Sequence, residues 1–203
     1  KINVLIDISI KYYENYQVYL LMKHANQFLD NLSNWYVRRN RRRFWKSEND
    51  SNKSAAYFTL YTVLLNFIKI MSPIIPFITE SIYKNLTSSI SNSPESIHLT
   101  SFPKSDKKLV NKDLQDEIDT MILIVSMARS ARNKANIKIR QPLSELVIYS
   151  NSNTVDVVKK NSKEILEELN IKTIRYVDYV SSLVNFNVSL NYQRVKEKRF
   201  SRP

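Results

Sequence analysis

Glycine is absent from the whole 203-residue chain, where an average sequence of that length carries about fourteen. Its absence removes several classes of function together. Phosphate-cradling loops and dinucleotide fingerprints use glycine where the backbone closes on a ligand, and nucleophile elbows use it at a sharp turn. Cysteine is also absent, which excludes disulfides and thiolate metal sites and fits a reducing compartment. Only two histidines occur, His24 and His98, too far apart in sequence to suggest a metal site or a triad. Unbroken apolar runs are short, as at Ile122–Val125, well below the length that spans a bilayer. Residues Lys1–Ile10 show no basic, apolar and small-residue succession of a signal peptide. The expectation is a soluble chain without a membrane partner, in the cytoplasm or an organelle interior.

What is plentiful is positive charge. Thirty-one Lys and Arg against nineteen Asp and Glu give a net charge of +12, an excess that points to polyanionic partners. The charge is segregated. Arg38, Arg39, Arg41, Arg42, Arg43 and Lys46 share one stretch without an acid, and Arg129, Arg132, Lys134, Lys138 and Arg140 share another. A third, Arg194–Arg202, is interrupted only by Glu197, while acids gather at Asp113–Asp119 and Glu164–Glu168. Hydrophobic residues make up 43% of the chain, enough for one sizeable core or two small ones.

Periodicity predicts helices over Ile2–Tyr13 and Gln17–Trp45, broken near Asn15, with Leu21, Phe28, Leu32 and Trp35 on one face. Ser54 is the expected cap of a buried helix, Ala55–Met71. Pro73 and Pro76 mark a helix end, Pro76 suiting the first turn of a helix to Leu86. A long connection, Ser88–Ser105, would place His98 in a strand-like stretch, and Asp113–Lys134 returns to helix. Beyond Pro142 the pattern changes to strands at Leu146–Tyr149, Ile171–Tyr179 and Val184–Leu190, with a helix Val155–Leu169 opened by Thr154. The fold expected is mainly α: a helical bundle over residues 1–133, then a basic junction and small α+β subdomain over 134–203.

The densest feature is Leu32-Ser-Asn-Trp-Tyr-Val-Arg-Arg-Asn-Arg-Arg-Arg-Phe-Trp45. On a helix, Leu32, Trp35 and Tyr36 can face a core while Arg38, Arg41, Arg42 and Lys46 spread outward. Guanidinium groups grip phosphate bidentately, and Trp45 could stack on a base or ribose. The bland reading is a solvated arginine face, partly paired with Asp30 or Glu80. Arg39, four residues from Trp35, is expected to be half-buried and structural. In the junction, Arg132, Lys134, Lys138 and Arg140 could hold an RNA backbone, dock another domain or brace the α+β part. His24, near Tyr16 and Phe28, suits a core or boundary position, and the Asp113–Asp119 acids suit a solvated helix start.

The Leu32–Trp45 segment resembles the signature that opens the anticodon-binding bundle of isoleucyl-tRNA synthetases. Asn34 and Arg38 stand where the related valyl enzymes usually carry acids. Three further stretches are similar to the same family in the same order: Ala55–Leu86 with its twin-proline turn, Ser96–Phe102 followed by Pro103, and the basic run Ala128–Leu143. After Leu190 the family's Pro-Asn-Phe and Leu-Gly patterns are missing. No H-I-G-H-like or K-M-S-K-S-like motif is present, so the two elements that embrace ATP in such enzymes are not in this chain.

The resemblance implies a fragment without the catalytic domain, inactive alone and holding no cofactor. Its parent would activate isoleucine with ATP and esterify it to tRNA(Ile). The implied partners are tRNA(Ile) and the catalytic domain of the same full-length chain. The RNA contacts it implies are Arg38, Arg41, Arg42, Arg43, Trp45 and Lys46, with Arg132, Lys134, Lys138 and Arg140. A different class of function, a basic docking module for proteins, stays open on these residues, as does nonspecific adhesion to DNA or acidic membranes.

Overall fold

The computed structural model describes residues 1–45 and 50–179. Lys46, the expected strand at Val184–Leu190 and the third basic stretch lie outside them. The chain divides into two compact units, Lys1–Gln115 and Asp116–Pro203, each described by itself below. The architecture is mainly α with a small parallel sheet, as the sequence predicts.

The first unit begins with α1 (Ile2–Glu14) and α2 (Val18–Asn31). Between them the Tyr16 N–H donates to the Tyr13 carbonyl (3.2 Å) and the Gln17 N–H to the Tyr12 carbonyl (2.8 Å). This is a Schellman closure, and it puts Tyr16 in the left-handed region at φ 56°. Leu5 and Ile6 of α1 meet Leu21 and Ala25 of α2 in one core, completed by Phe67, Ile70 and Met71. His24 sits at the edge of this core, half-buried, with the Tyr12 hydroxyl 3.1 Å from its Nε2. The Tyr13 hydroxyl donates to the Ile70 carbonyl at 2.6 Å, and burial pushes its phenol up to about 12.

Phe67, Ile70 and Met71 end α4 (Ser51–Met71). The cap of this helix is Asp50, whose carboxylate accepts from the Lys53 N–H at 2.7 Å. Ser54, the expected cap, lies inside the first turn, because the carboxylate three residues upstream of Lys53 already satisfies an orphan amide. By length and composition α4 is the one described helix able to cross a membrane. Its last turns are instead bundle core, though its first half is more open than expected, with Phe58 71% exposed. Pro76 is the first residue of α5 (Pro76–Thr87), where its missing N–H costs no bond.

Ile68, Tyr83 and Ile97 form a second core cluster, which fastens the connection after α5. Glu80 secures it, accepting from the Ile97 N–H and the Ser96 hydroxyl, each at 2.9 Å. Those bonds, the Ile97 amide foremost, together with Lys84, hold the Glu80 carboxyl below its ordinary value. Glu80 is therefore engaged by Ser96, Ile97 and Lys84. His98 is exposed in a 3-10 turn, Ile97–Leu99, and not in an extended stretch. The Ser96 hydroxyl, accepting from the His98 N–H, starts that turn.

Helix α6 (Lys112–Lys134) runs across the division between the units. Within the second unit, strand β1 (Leu143–Ile148) is followed by α7 (Ser152–Lys160), α8 (Ser162–Leu169) and β2 (Ile171–Tyr176). The strands are parallel, Leu143 facing Ile171 and Ile148 facing Tyr176, so the helices form the crossover that parallel pairing needs. The single helix expected over Val155–Leu169 is two. Asn161 divides them, its amide donating to the Val157 carbonyl (2.9 Å) and to Glu117 (2.6 Å). Asn151 caps α7, not Thr154, whose own N–H is the donor. Val158, Ile165 and Leu169 are fully buried, and Met121 and Val125 of α6 nearly so.

Left-handed backbone occurs at Tyr16, Asn92, Asn136 and Asn170 among the described residues. In a chain without glycine these positions fall mostly to asparagine, whose short polar side chain tolerates that region best after glycine.

Candidate nucleic-acid interface

After α2 the backbone widens into a π-helical stretch, Leu32–Val37, then breaks at Asn40 before the single-turn helix α3 (Arg41–Trp45). The long helix expected to Trp45 is thus interrupted twice. Asn40 is the reason for the second break. Its amide donates back to the Tyr36 carbonyl (2.8 Å), while its backbone carbonyl accepts from Arg43 and Phe44.

Aromatic packing anchors α3. Phe44 is buried, its ring edge-on to Tyr36 (6.4 Å) and to Tyr57 (5.1 Å). The Tyr57 hydroxyl donates to the Phe44 carbonyl, and that of Tyr36 to the Ala56 carbonyl. Phe44 is thus buried, while its neighbour Trp45 is 74% exposed.

The arginines then divide by task. Arg39 is half-buried, its guanidinium 5.1 Å from the Trp35 ring centre, in the structural role expected of it. Arg41 lies over Trp45 at 4.3 Å. Arg43 donates to Asn40 Oδ1 (2.8 Å) and to the Asn52 carbonyl (2.9 Å), tying α3 to the start of α4. That fork is committed to protein acceptors, so Arg43 positions the segment. Arg38 and Arg42 are exposed. The outward set is thus Arg38, Arg41, Arg42 and Trp45.

The junction residues belong to the second unit and divide in the same way. Arg132 is 5% exposed. Its guanidinium donates to the carbonyls of Lys138 (3.1 Å), Gln141 (3.0 Å), Leu169 (2.8 Å) and Asn170 (3.3 Å). Of the readings open in the sequence, Arg132 takes the brace: its donors face inward to carbonyls, not outward to phosphate. Lys134, Lys138 and Arg140 are exposed. The backbone that carries them is not extended but folded into turns. Asn136 closes α6 at φ 54°, and Asn170 donates to the carbonyls of Ile139 and Arg140. The carbonyls of this segment turn inward, leaving its basic side chains outside.

Tyr36 was expected to face a core, but neither Asn40 nor its aromatic neighbours Phe44 and Tyr57 were singled out from the sequence. An asparagine amid five arginines was the available signal. No group of three His, Cys, Asp or Glu able to hold a metal occurs among the described residues.

The chain is similar to known proteins over most of its length. Residues 1–148 match the family described as the anticodon-binding domain of tRNA ligase. The chain is 45% identical over 193 residues to the isoleucine–tRNA ligase of Clostridium kluyveri, covering 94% of this chain and 18% of that protein. It is 42% identical over 195 residues to the isoleucine–tRNA ligase of Clostridium novyi, with the same coverage. To that of Dehalococcoides mccartyi it is 44% identical over 163 residues, covering 79% and 16%. The chain therefore spans less than a fifth of the length of these relatives. With its bundle, its braced arginine turn and β1 all inside the matched residues, the chain belongs to the family of anticodon-binding domains of tRNA ligases.

Proposed function

We propose that this chain grips the anticodon stem and loop of tRNA(Ile) for an isoleucine–tRNA ligase. The observation that carries the reading is the outward set at the braced α3, where Arg41, Arg42 and Trp45 are exposed and Arg41 covers the Trp45 ring, with exposed Arg38 shortly before it. Arg38 and Arg42 hold phosphates, which fixes the register of the tRNA without reading its sequence. Lys46 extends that set in the sequence, while Lys134, Lys138 and Arg140 offer a second basic surface. Binding energy spent here orients the acceptor end toward a distant active site.

Activation of isoleucine with ATP, and its transfer to tRNA, belong on this reading to the catalytic domain of the longer protein. The sequence contains no glycine and so no glycine-rich phosphate loop. The setting proposed is the cytoplasm, where translation supplies the tRNA. A protein-docking role for another face is favoured by Phe77, 90% exposed at the start of α5 beside Ile75 and Ile78. We assign that apolar patch to contact with the rest of the parent protein, not to RNA.

Competition at one fixed salt concentration tests the RNA reading. A labelled tRNA(Ile) anticodon stem-loop bound to the chain should be displaced by tRNA, far less by duplex DNA, and not by anionic vesicles. Equal displacement by duplex DNA would reduce the surface to a nonspecific polyanion binder.

A further inference from the structure

Trp45 presents a large aromatic surface to water beside a concentration of positive charge, and its two faces differ. The Arg41 guanidinium lies 4.3 Å from its ring centre on one side, while the residue as a whole is 74% exposed. The other aromatic side chains of this segment are committed. Tyr36, Phe44 and Tyr57 pack edge to face, and Trp35 is half-buried under Arg39. The turn that carries Trp45 is fixed through Asn40, Arg43 and buried Phe44. A ring held this way loses little freedom when a ligand covers it.

We infer that the outer face of Trp45 is a stacking platform for one unpaired nucleobase, with Arg41 as its back wall. This rests on the RNA reading above and gives that surface a second task. A guanidinium plane against one face of an indole excludes water there and leaves the opposite face for a flat, polarisable partner. A base inside a duplex has both faces covered by its neighbours, so the platform takes bases from loops and ends. Indole and guanidinium planes offer no group aimed at a base edge, so the platform tolerates any base. It selects single-stranded over paired RNA, and Arg42 serves both through phosphate.

Tryptophan fluorescence of the full 203-residue chain gives the test. The chain has two tryptophans, so Trp35→Phe, checked by thermal melting, leaves Trp45 as the only reporter. Emission is followed during titration with an RNA stem-loop and with a fully paired RNA of equal phosphate count. The stem-loop should quench Trp45 and the duplex should bind without quenching. Against the unaltered chain, Trp45→Leu should weaken stem-loop binding about 5- to 150-fold, the range for loss of one stacked base, with an unchanged salt slope. Trp45→Phe should restore part of the loss. Arg41→Lys, which keeps the charge but loses the plane, should reduce the preference for the stem-loop. Equal quenching by duplex would overturn the inference. So would Trp45→Leu leaving stem-loop affinity unaltered while Arg42→Ala weakens both RNAs, a result that leaves the RNA reading standing. Binding of neither RNA would remove both.

Discussion

Arg132→Ala separates the two physical roles that a basic side chain in this region can play. Arg132 is 5% exposed and donates four hydrogen bonds to carbonyls between 2.8 and 3.3 Å. Its Nε is buried without an acceptor among the described residues, which subtracts from the gain. A hydrogen bond to a charged group contributes about 1.5–3 kcal/mol. Counting the two shortest bonds fully, and letting water replace the donors at Lys138 and Asn170, the loss comes to about 3–5 kcal/mol, typical of removing one partner from a buried charged network. Urea unfolding followed by far-ultraviolet circular dichroism should show that loss in the second unit. Trypsin should also cut faster at Lys134, Lys138 and Arg140, because the carbonyls that Arg132 holds would be released. Arg132→Lys keeps the charge without the fork and should recover under half of the stability. The reasoning fails if Arg132→Ala unfolds at the urea concentration of the parent chain. A concurrent fall in tRNA affinity and salt slope would then make Arg132 a phosphate ligand.

Other perturbations test the remaining features. Arg42→Ala should weaken all tRNAs alike and reduce the slope of log affinity against log salt by about one unit, measured by anisotropy. Arg39→Ala should instead lower the melting temperature more than the affinity. The Glu80 carboxyl is held below its ordinary value, so the unfolded chain takes up the proton first as pH falls. Its contribution is present above the ordinary value of 4.5 and fades as pH drops from there through the folded value. Glu80→Gln should flatten that part of a stability–pH profile, and an unaltered profile would exclude this carboxylate as the source. Tyr16→Gly should stabilise the first unit by about 1 kcal/mol, since a left-handed backbone costs an L-residue roughly 1–2 kcal/mol, and a lower urea midpoint would contradict it. Purified alone, the chain should catalyse no isoleucine-dependent exchange of pyrophosphate into ATP above a matched blank.

Local and nearest-neighbour physics were legible in the sequence. The prolines fixed where α4 ends and α5 begins, the i to i+4 spacing of Trp35 and Arg39 pointed to a half-buried, structural Arg39, and β-branched and aromatic residues marked both described strands. Caps were placed a few residues late at Ser54 and Thr154, because Asp50 and Asn151 outcompete them as acceptors. The absence of glycine was plain in the sequence. It did not reveal that asparagine would occupy left-handed turns, since that requirement appears only when helices must reverse. The fate of each arginine was a tertiary decision. Arg43 and Arg132 carry the same side chain as Arg42, yet one is tied to Asn40 and Asn52 and the other to four inward carbonyls. A guanidinium goes wherever the uncompensated acceptors are, and their positions are set by how distant segments meet. Sequence thus determined that this chain is a basic helical bundle with a small α+β part. Only the tertiary structure decided which of its cations brace the fold and which are left facing solvent.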